Sequence, residues 1–512
     1  MPRLSHGGVL NLEEFRRTRD AAVAEFSAAN PLGFAVVAQA VDTQDFGFLF
    51  RGLQDDPANL LPERRRTRDA LVDLGRTMQG GGGGDSPIPA AYTYFGQFVD
   101  HDITLELESA TLPELVDPDL TPLRLGQIRE MIRNARTATL ELDSVYGGPA
   151  PRDGEKMRIG RVAPFGIRPP DKDDFNDLPR RRRSPDDPER DREALIGDPR
   201  NDENLIVAQL HVAFLRAHNR LVNRGEDFIG ARKLLRQHHQ HIVLHDFLKQ
   251  IVDDQIVDET IAQNRVYTPP EDRVFMPLEF SVAAYRLGHS MARARYDFNI
   301  NFQPATFEEL FTFTALSGEL GDFDTLPQLW IIQWENFVDV GAPFARTRSI
   351  DTMLVEPLFE LRNFQGGILQ GDRARLAVRN LLRGYRLRLP TGQAVARELG
   401  ERLQGVRNIP VLTPQQVRDA AASPEQVQVL QDAGFLERTP LWYYILAEAA
   451  ALEGGERLGP VGGTIVAEVL VGLVRRSANS ILGAANWQPT LPSAQAGTFT
   501  LTDLLKFARV LS

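Results

Sequence analysis

The chain has 512 residues, 42% hydrophobic and 25% charged, with a formal net charge of −11. That balance is ordinary globular usage and argues against wholesale disorder or a membrane protein, and it offers nucleic acid no sustained basic face. Cysteine is absent, which excludes disulfides, thiolate zinc or iron–sulfur sites and a cysteine nucleophile, so any metal is held by histidine or oxygen.

The N-terminus, Met1-Pro2-Arg3-Leu4-Ser5-His6, lacks the apolar core of a signal peptide, and no stretch reaches the roughly 18 apolar residues of a spanning helix. No transmembrane segment is expected, and the default compartment is the cytoplasm, with leaderless secretion left open. Residues 1–90 read as a leader that packs on the main domain or stays partly flexible. It contains a helix from Leu12 to Ala29, an arginine-rich stretch and five glycines, Gly80 to Gly84. The glycines read as a linker; a phosphate-cradling loop is the sharper alternative, but no Lys-Ser/Thr follows them. Residues 91–512 form the main domain, mainly α with little β. The arginine run Arg180 to Arg183, followed by Ser184-Pro185-Asp186-Asp187-Pro188-Glu189, reads as a solvated, self-paired loop. After Gly197-Asp198-Pro199 a helix places Leu205, Ala208, Val212, Leu215 and Asn219 at helical spacing. Further helices are expected at Gly230 to Val252, at Ser281 to Arg295, and from Pro460 after Gly459. Val461 to Val474, interrupted by Glu468, reads as a buried helix, and no repeat of 20–50 residues is visible.

Gly96-Gln97-Phe98-Val99-Asp100-His101-Asp102 carries the first concentrated chemistry. On a helix Gln97 and His101 share a face, with Asp100 and Asp102 to either side. Alone, this segment reads equally as a polar helix end with a capped histidine. Three more follow in order: Gly197-Asp198-Pro199-Arg200-Asn201-Asp202-Glu203-Asn204 with Leu215-Arg216-Ala217-His218-Asn219-Arg220-Leu221; Tyr285-Arg286-Leu287-Gly288-His289; and Asn380-Leu381-Leu382-Arg383 with Pro390 beyond. Together they resemble the animal (mammalian-type) haem peroxidase superfamily, in a bacterial-type member. The resemblance spans Tyr92 to Pro390, continues weakly through Arg457-Leu458-Gly459-Pro460, and says little about residues 1–90.

It implies a helical fold with haem b buried between a distal and a proximal helix. His101 matches the distal histidine, whose neutral imidazole moves a proton between the two peroxide oxygens. Arg200 matches the arginine that stabilises the leaving oxygen, and Gln97 the glutamine that orients water, peroxide or halide. His289 matches the iron ligand, and Asn380 the amide that receives its second ring N–H. Arg383 matches an arginine that pairs with a haem propionate. Asp100 and Glu203 match the acids that form ester links with haem methyls, the alternative being free hydrogen-bonding carboxylates. Asn204 stands where a third, sulfonium link would need methionine. Asp102 matches the first ligand of a structural calcium (Ca2+), completed by Thr137, the Thr139 carbonyl, Glu141 and Asp143 in the loop before Val145-Tyr146-Gly147. Oxygen donors suit that ion, although Glu141 and Asp143 depart from the family's shorter aspartate and serine. A solvated acidic loop is the alternative.

The resemblance therefore implies an oxidoreductase that takes hydrogen peroxide and a halide, pseudohalide or small organic donor through a ferryl intermediate, in a response to oxidative stress. The alternatives are a haem-dependent fatty-acid dioxygenase and a non-catalytic haem-binding protein. The dioxygenase branch carries its radical tyrosine three residues before the proximal histidine, where this chain has Arg286, with Tyr285 one place earlier. His238, His239, His241 and His245 lack a His-Glu-x-x-His pattern and read as a core and surface mixture. His211 and His218 read as hydrogen-bonded core histidines.

Overall fold

Apolar side chains at helical spacing build most of the architecture. The computed structural model describes residues 44–81, 84–107, 112–147, 150–184, 186–187, 190–270, 273–312, 314, 320, 322–362 and 367–512. The helix expected at Leu12 to Ala29, and Gly82 and Gly83 of the glycine run, lie outside them. The helices that matter for the site are α1 (Arg65–Thr77), α2 (Ala91–Ile103), α3 (Leu205–Asn223), α4 (Phe228–Ile242), α5 (Leu376–Arg386), α6 (Leu441–Glu453), α7 (Pro460–Arg476) and α8 (Leu501–Phe507).

A small sheet ties the ends of the functional segments together. Its strands are β1 (Gln44–Gly47), β2 (Glu106–Leu107), β3 (Arg133–Asn134) and β4 (Phe275–Pro277), in the spatial order β2-β3-β1-β4. The β1 strand runs antiparallel to β3 and parallel to β4, with Asp45 opposite Phe275. A Cβ on Gly47 would lie 2.7 Å from Phe275 Cδ2, so glycine here lets the Phe275 ring lie against the strand. Because β2 leaves the end of α2 and β4 leads into the His289 segment, this sheet fixes the spacing of the two. Phe46, Phe50, Leu71 and Leu74, from before residue 91, belong to the same hydrophobic core as the helices.

The helices pack closely where the site needs rigidity. Phe98 of α2 stacks on Phe214 of α3 at 4.6 Å. A Cβ on Gly75 of α1 would come within 2.8 Å of the Val378 backbone of α5, the helix bearing Asn380 and Arg383. In α7 every residue from Val461 to Val474 is buried. Glu468 is tolerated there because its carboxylate accepts the backbone N–H groups of Arg265, Val266 and Tyr267. Glu448 of α6 accepts from Val461 and Gly462 at the start of α7, and burial pushes its pKa up to about 8.

Two expectations need correction. The helix expected over Ser281 to Arg295 is irregular and shorter: a wide turn over Glu279–Ala283, a tight one over Ala284–Leu287 and a single α turn over Gly288–Met291, after which the chain extends at Ala292. The helix expected over Gly230 to Val252 is present as α4, continued through a wide turn at Val243–Phe247 to Ile251. The arginine run is not a wholly solvated loop either. Arg180 is buried and bridges Asp177 and Asp202 at 2.8 and 2.6 Å, because two neighbouring carboxylates compensate its desolvation.

His239 of α4 is fully buried, and neither ring nitrogen finds a hydrogen-bond partner among the described residues. The rings of Phe95, Phe98 and Phe214 surround it, and burial pushes its pKa down to about 3. The unfolded chain protonates this histidine near pH 6.5 and the folded one only near 3, so its contribution to stability falls as the pH drops below 6.5. His239→Phe removes that loss: relative to wild type, the variant should gain about 2 kcal/mol on going from pH 7 to pH 5. Urea unfolding at both pH values measures it, and an equal difference at the two would contradict the assignment.

Candidate functional site

Asp198 organises one side of the site. A Cβ on Gly197 would strike the Asp143 carbonyl at 2.4 Å, so this turn needs glycine. Asp198 then accepts the Arg200 N–H at 2.9 Å, capping the short helix Pro199–Asp202, with Pro199 at its first position. Its carboxylate receives Arg136 Nε and Nη2 at 3.0 and 2.5 Å and Arg200 Nε and Nη2 at 3.0 and 2.7 Å. Burial alone would raise its pKa, but the two guanidinium charges outweigh burial and hold it well below the usual carboxylate range. Arg200 Nη2 also donates to the carbonyls of Thr104 and His101, at 2.5 and 3.3 Å, which pins the guanidinium against the end of α2.

His101, in the last turn of α2, is held by the same segment. Its Nδ1 lies 2.8 Å from Asn201 Oδ1. An amide oxygen only accepts, so Nδ1 carries the proton and Nε2 is bare. The Asn201 amide nitrogen lies 2.9 Å from His211 Nδ1. Burial, followed by the Arg200 charge, pushes His101 down to about 4, leaving a neutral imidazole at pH 7. Gln97 donates to Glu203 Oε2 at 3.4 Å and accepts from Asn204 Nδ2 at 3.1 Å, while Asn204 caps α3 through Val207 N–H. Thr104 Oγ1 donates to Asp100 Oδ1 at 2.8 Å.

His101, Arg200, Gln97, Asp100 and Glu203 line one cavity with His289 and Arg383, about 1450 Å³ with its mouth included. Asn380 stands behind His289, with Nδ2 2.8 Å from His289 Nδ1 and Oδ1 accepting from Arg286 Nη1 at 3.2 Å. This differs from an amide that receives the His289 N–H: an iron-bound ring needs Nδ1 as donor, so the amide must turn end for end and give up Arg286. Arg383 Nη1 lies 3.9 Å from Glu106. A haem fits these residues, with imidazole rings from both segments, guanidinium groups for its propionates and apolar walls from Phe307, Leu358 and Leu361.

The calcium set is only partly assembled. Asp102, fully buried, accepts from Leu142 N–H at 3.1 Å and Ser144 N–H at 3.4 Å; burial and then the neighbouring Asp143 push its pKa well up. Asp143 accepts from Thr137 N–H at 3.3 Å, and the Thr139 carbonyl from Glu141 N–H at 3.1 Å. Glu141 instead faces Arg236 Nη1 at 3.1 Å and Ala478 N–H at 2.8 Å, because the longer glutamate reaches them. Among the described residues no three acidic or histidine side chains converge to hold a metal.

Sequence reasoning missed Asp198, Arg136 and Asn201 as functional supports. The Asp-Pro helix start was a usable signal for Asp198, whereas nothing in the sequence pairs Arg136 with it. His218 is a core histidine bonded to Tyr146 and the Glu155 carbonyl, and His238 accepts from Thr490 and Leu491 N–H.

Residues 118–316 match the family model described as animal haem peroxidase. That stretch includes Arg200, Glu203 and His289. The chain is 31% identical over 106 residues to thyroid peroxidase of Canis lupus familiaris, covering 19% of this chain and 11% of that protein. It is 27% identical over 335 residues to a peroxidase-like protein of Margaritifera margaritifera, covering 53% and 40%. The chain thus matches less than half the length of either relative. Among solved structures it is similar to peroxidase A of Dictyostelium discoideum, with TM-score 0.53 and 16% identity over 86% of this chain and 89% of that one. It is also similar to the fatty acid alpha-dioxygenase of Arabidopsis thaliana, with TM-score 0.53 and 12% identity over 90% and 81%. At these identities the likeness is one of fold.

Asp198→Asn keeps the shape of the side chain and removes its charge, leaving two guanidinium groups without their shared partner. A loss of about 3–5 kcal/mol in urea unfolding is expected; a loss under about 1 kcal/mol would show that the pair does not depend on this carboxylate.

Proposed function

We propose that this chain, as an animal haem peroxidase domain, holds haem b and reduces hydrogen peroxide while oxidising a halide, pseudohalide or small organic donor. One observation carries the reading: a neutral His101 with Nε2 bare and a pinned Arg200 line the same cavity as His289. Bound haem would supply the redox-active iron, with His289 as its protein ligand and Arg383 beside a propionate. His101 Nε2 takes the proton from one peroxide oxygen and returns it to the other. Arg200 stabilises the negative charge on the departing oxygen in a site shielded from water, and the Gln97 amide orients water, peroxide or halide. Asp100 and Glu203, which line the cavity, are the candidates for ester links to haem methyls. For calcium the candidate ligands are Asp102, Asp143, Thr137 and the Thr139 carbonyl, since Arg236 neutralises Glu141.

A fatty-acid dioxygenase is the second reading. It is favoured by the Tyr285 hydroxyl, which belongs to a cavity-lining residue and finds no hydrogen-bond partner among the described residues, and by the plant alpha-dioxygenase neighbour. Against it, the position three before His289 is Arg286, bonded to Asn380 and the Ser281 carbonyl. Absorption spectra of the haem-loaded protein mixed with peroxide or with a polyunsaturated fatty acid separate the two.

His101→Ala and Arg200→Ala should each retain haem and slow the absorbance change after peroxide mixing by at least about 100-fold. The double variant should lose less than the product of the single losses, because both act on one transition state. In wild type the rate should fall as pH drops through about 4, where His101 takes up a proton, and His101→Ala should lose that limb. A near-wild-type rate in either single variant with haem intact would overturn the roles given to these residues.

A further inference from the structure

Three tyrosines, Tyr92, Tyr94 and Tyr285, line the cavity. A phenol that loses an electron becomes a strong acid, so its oxidation is favourable only where the proton has somewhere to go. The Tyr285 hydroxyl is buried with no hydrogen-bond partner among the described residues, and the buried Tyr94 hydroxyl meets another phenol, Tyr296, a far weaker base than a carboxylate. Tyr92, in the first turn of α2, donates to Asp246 Oδ1 at 2.6 Å. The other Asp246 oxygen accepts the Leu501 N–H at 2.7 Å, at the start of α8, so the carboxylate is held with one oxygen facing the phenol. Asp246 itself sits in the wide turn Val243–Phe247 that interrupts the long helix, and the next residue, Phe247, stacks on the Tyr92 ring at 6.5 Å and 15°. None of this is used by the peroxide chemistry of His101 and Arg200.

We propose that Tyr92 and Asp246 form a proton-coupled redox pair, in which Tyr92 passes one electron to the peroxide-oxidised haem and its hydroxyl proton to Asp246. The inference rests on the haem peroxidase reading. The phenolic O–H bond breaks and a carboxylic O–H bond forms at Asp246 Oδ1. The products are a neutral tyrosyl radical, a protonated Asp246 and a haem reduced by one electron. An external one-electron donor restores the phenol and recovers the proton from Asp246. Burial has already pushed Asp246 up to about 6, which makes it a stronger base than an exposed aspartate while leaving it mostly ionised at pH 7.

Electron paramagnetic resonance of the haem-loaded full chain, frozen within milliseconds of mixing with hydrogen peroxide, reads the radical directly, with ring-deuterated tyrosine identifying it by the collapse of its hyperfine splitting. Wild type, Tyr94→Phe and Tyr285→Phe should give the tyrosyl signal; Tyr92→Phe, which removes only the hydroxyl, should lose it, and so should Asp246→Asn, which cannot take the proton. The signal persisting in Tyr92→Phe, or being unchanged in yield in Asp246→Asn, would overturn the proposal. Wild-type protein whose haem spectrum responds to peroxide but that forms no tyrosyl signal would overturn it while leaving the peroxidase reading standing. A haem spectrum that does not respond to peroxide would overturn that reading, and the pair with it.

Discussion

A single buried carboxylate between two guanidinium groups sets the geometry of the half of this site that holds His101. Asp198 has no exposure to solvent, and a charge in such a place is tolerable only when it is paired and hydrogen-bonded throughout. Arg136 and Arg200 meet that need, and Asp198 also caps the short helix that follows it. Arg200 is thereby fixed, and through the carbonyls of His101 and Thr104 it is fixed to α2. Asn201, the next residue, selects the His101 tautomer. The His101 imidazole and the Arg200 guanidinium are thus oriented by one local structure whose buried charges are paired.

The half that holds His289 depends on packing instead. The close contact of Gly75 with Val378 seats α5, and the four-stranded sheet joins the end of α2 to the strand leading into the His289 segment. The irregular turns between Glu279 and Met291 are shorter than a regular helix of the expected length. They place Arg286 against the Asn380 oxygen, which turns that amide's nitrogen toward His289.

Much of this was legible in the sequence. His101, Arg200, Gln97, Asp100, Glu203, His289 and Arg383 stand in short local motifs, and a local motif survives the absence of tertiary information. The mainly helical fold followed from apolar periodicity, α3 from the helical spacing of Leu205 to Asn219, and α7 from its Gly-Pro entry. What could not be read depends on contacts between distant segments: Arg136 with Asp198, Glu141 with Arg236, Arg180 with Asp202, and Tyr92 with Asp246, separated by 154 positions. The proximal helix was overextended because apolar spacing continues past Met291, whereas the chain there leaves to form the strand Arg295–Tyr296. His239 was unreadable for a different reason: a histidine among phenylalanines has no local signature that separates it from a surface position.

Haem titration of the apoprotein, followed by absorption and by electron paramagnetic resonance of the ferric form, tests the proposal that haem binds between these two halves. Wild type should take up one haem with the spectrum of a single imidazole ligand, and His218→Ala should do the same, while His289→Ala should lose tight binding together with that spectrum. One haem bound by His289→Ala with the wild-type spectrum would contradict the account, because the iron would then be held elsewhere.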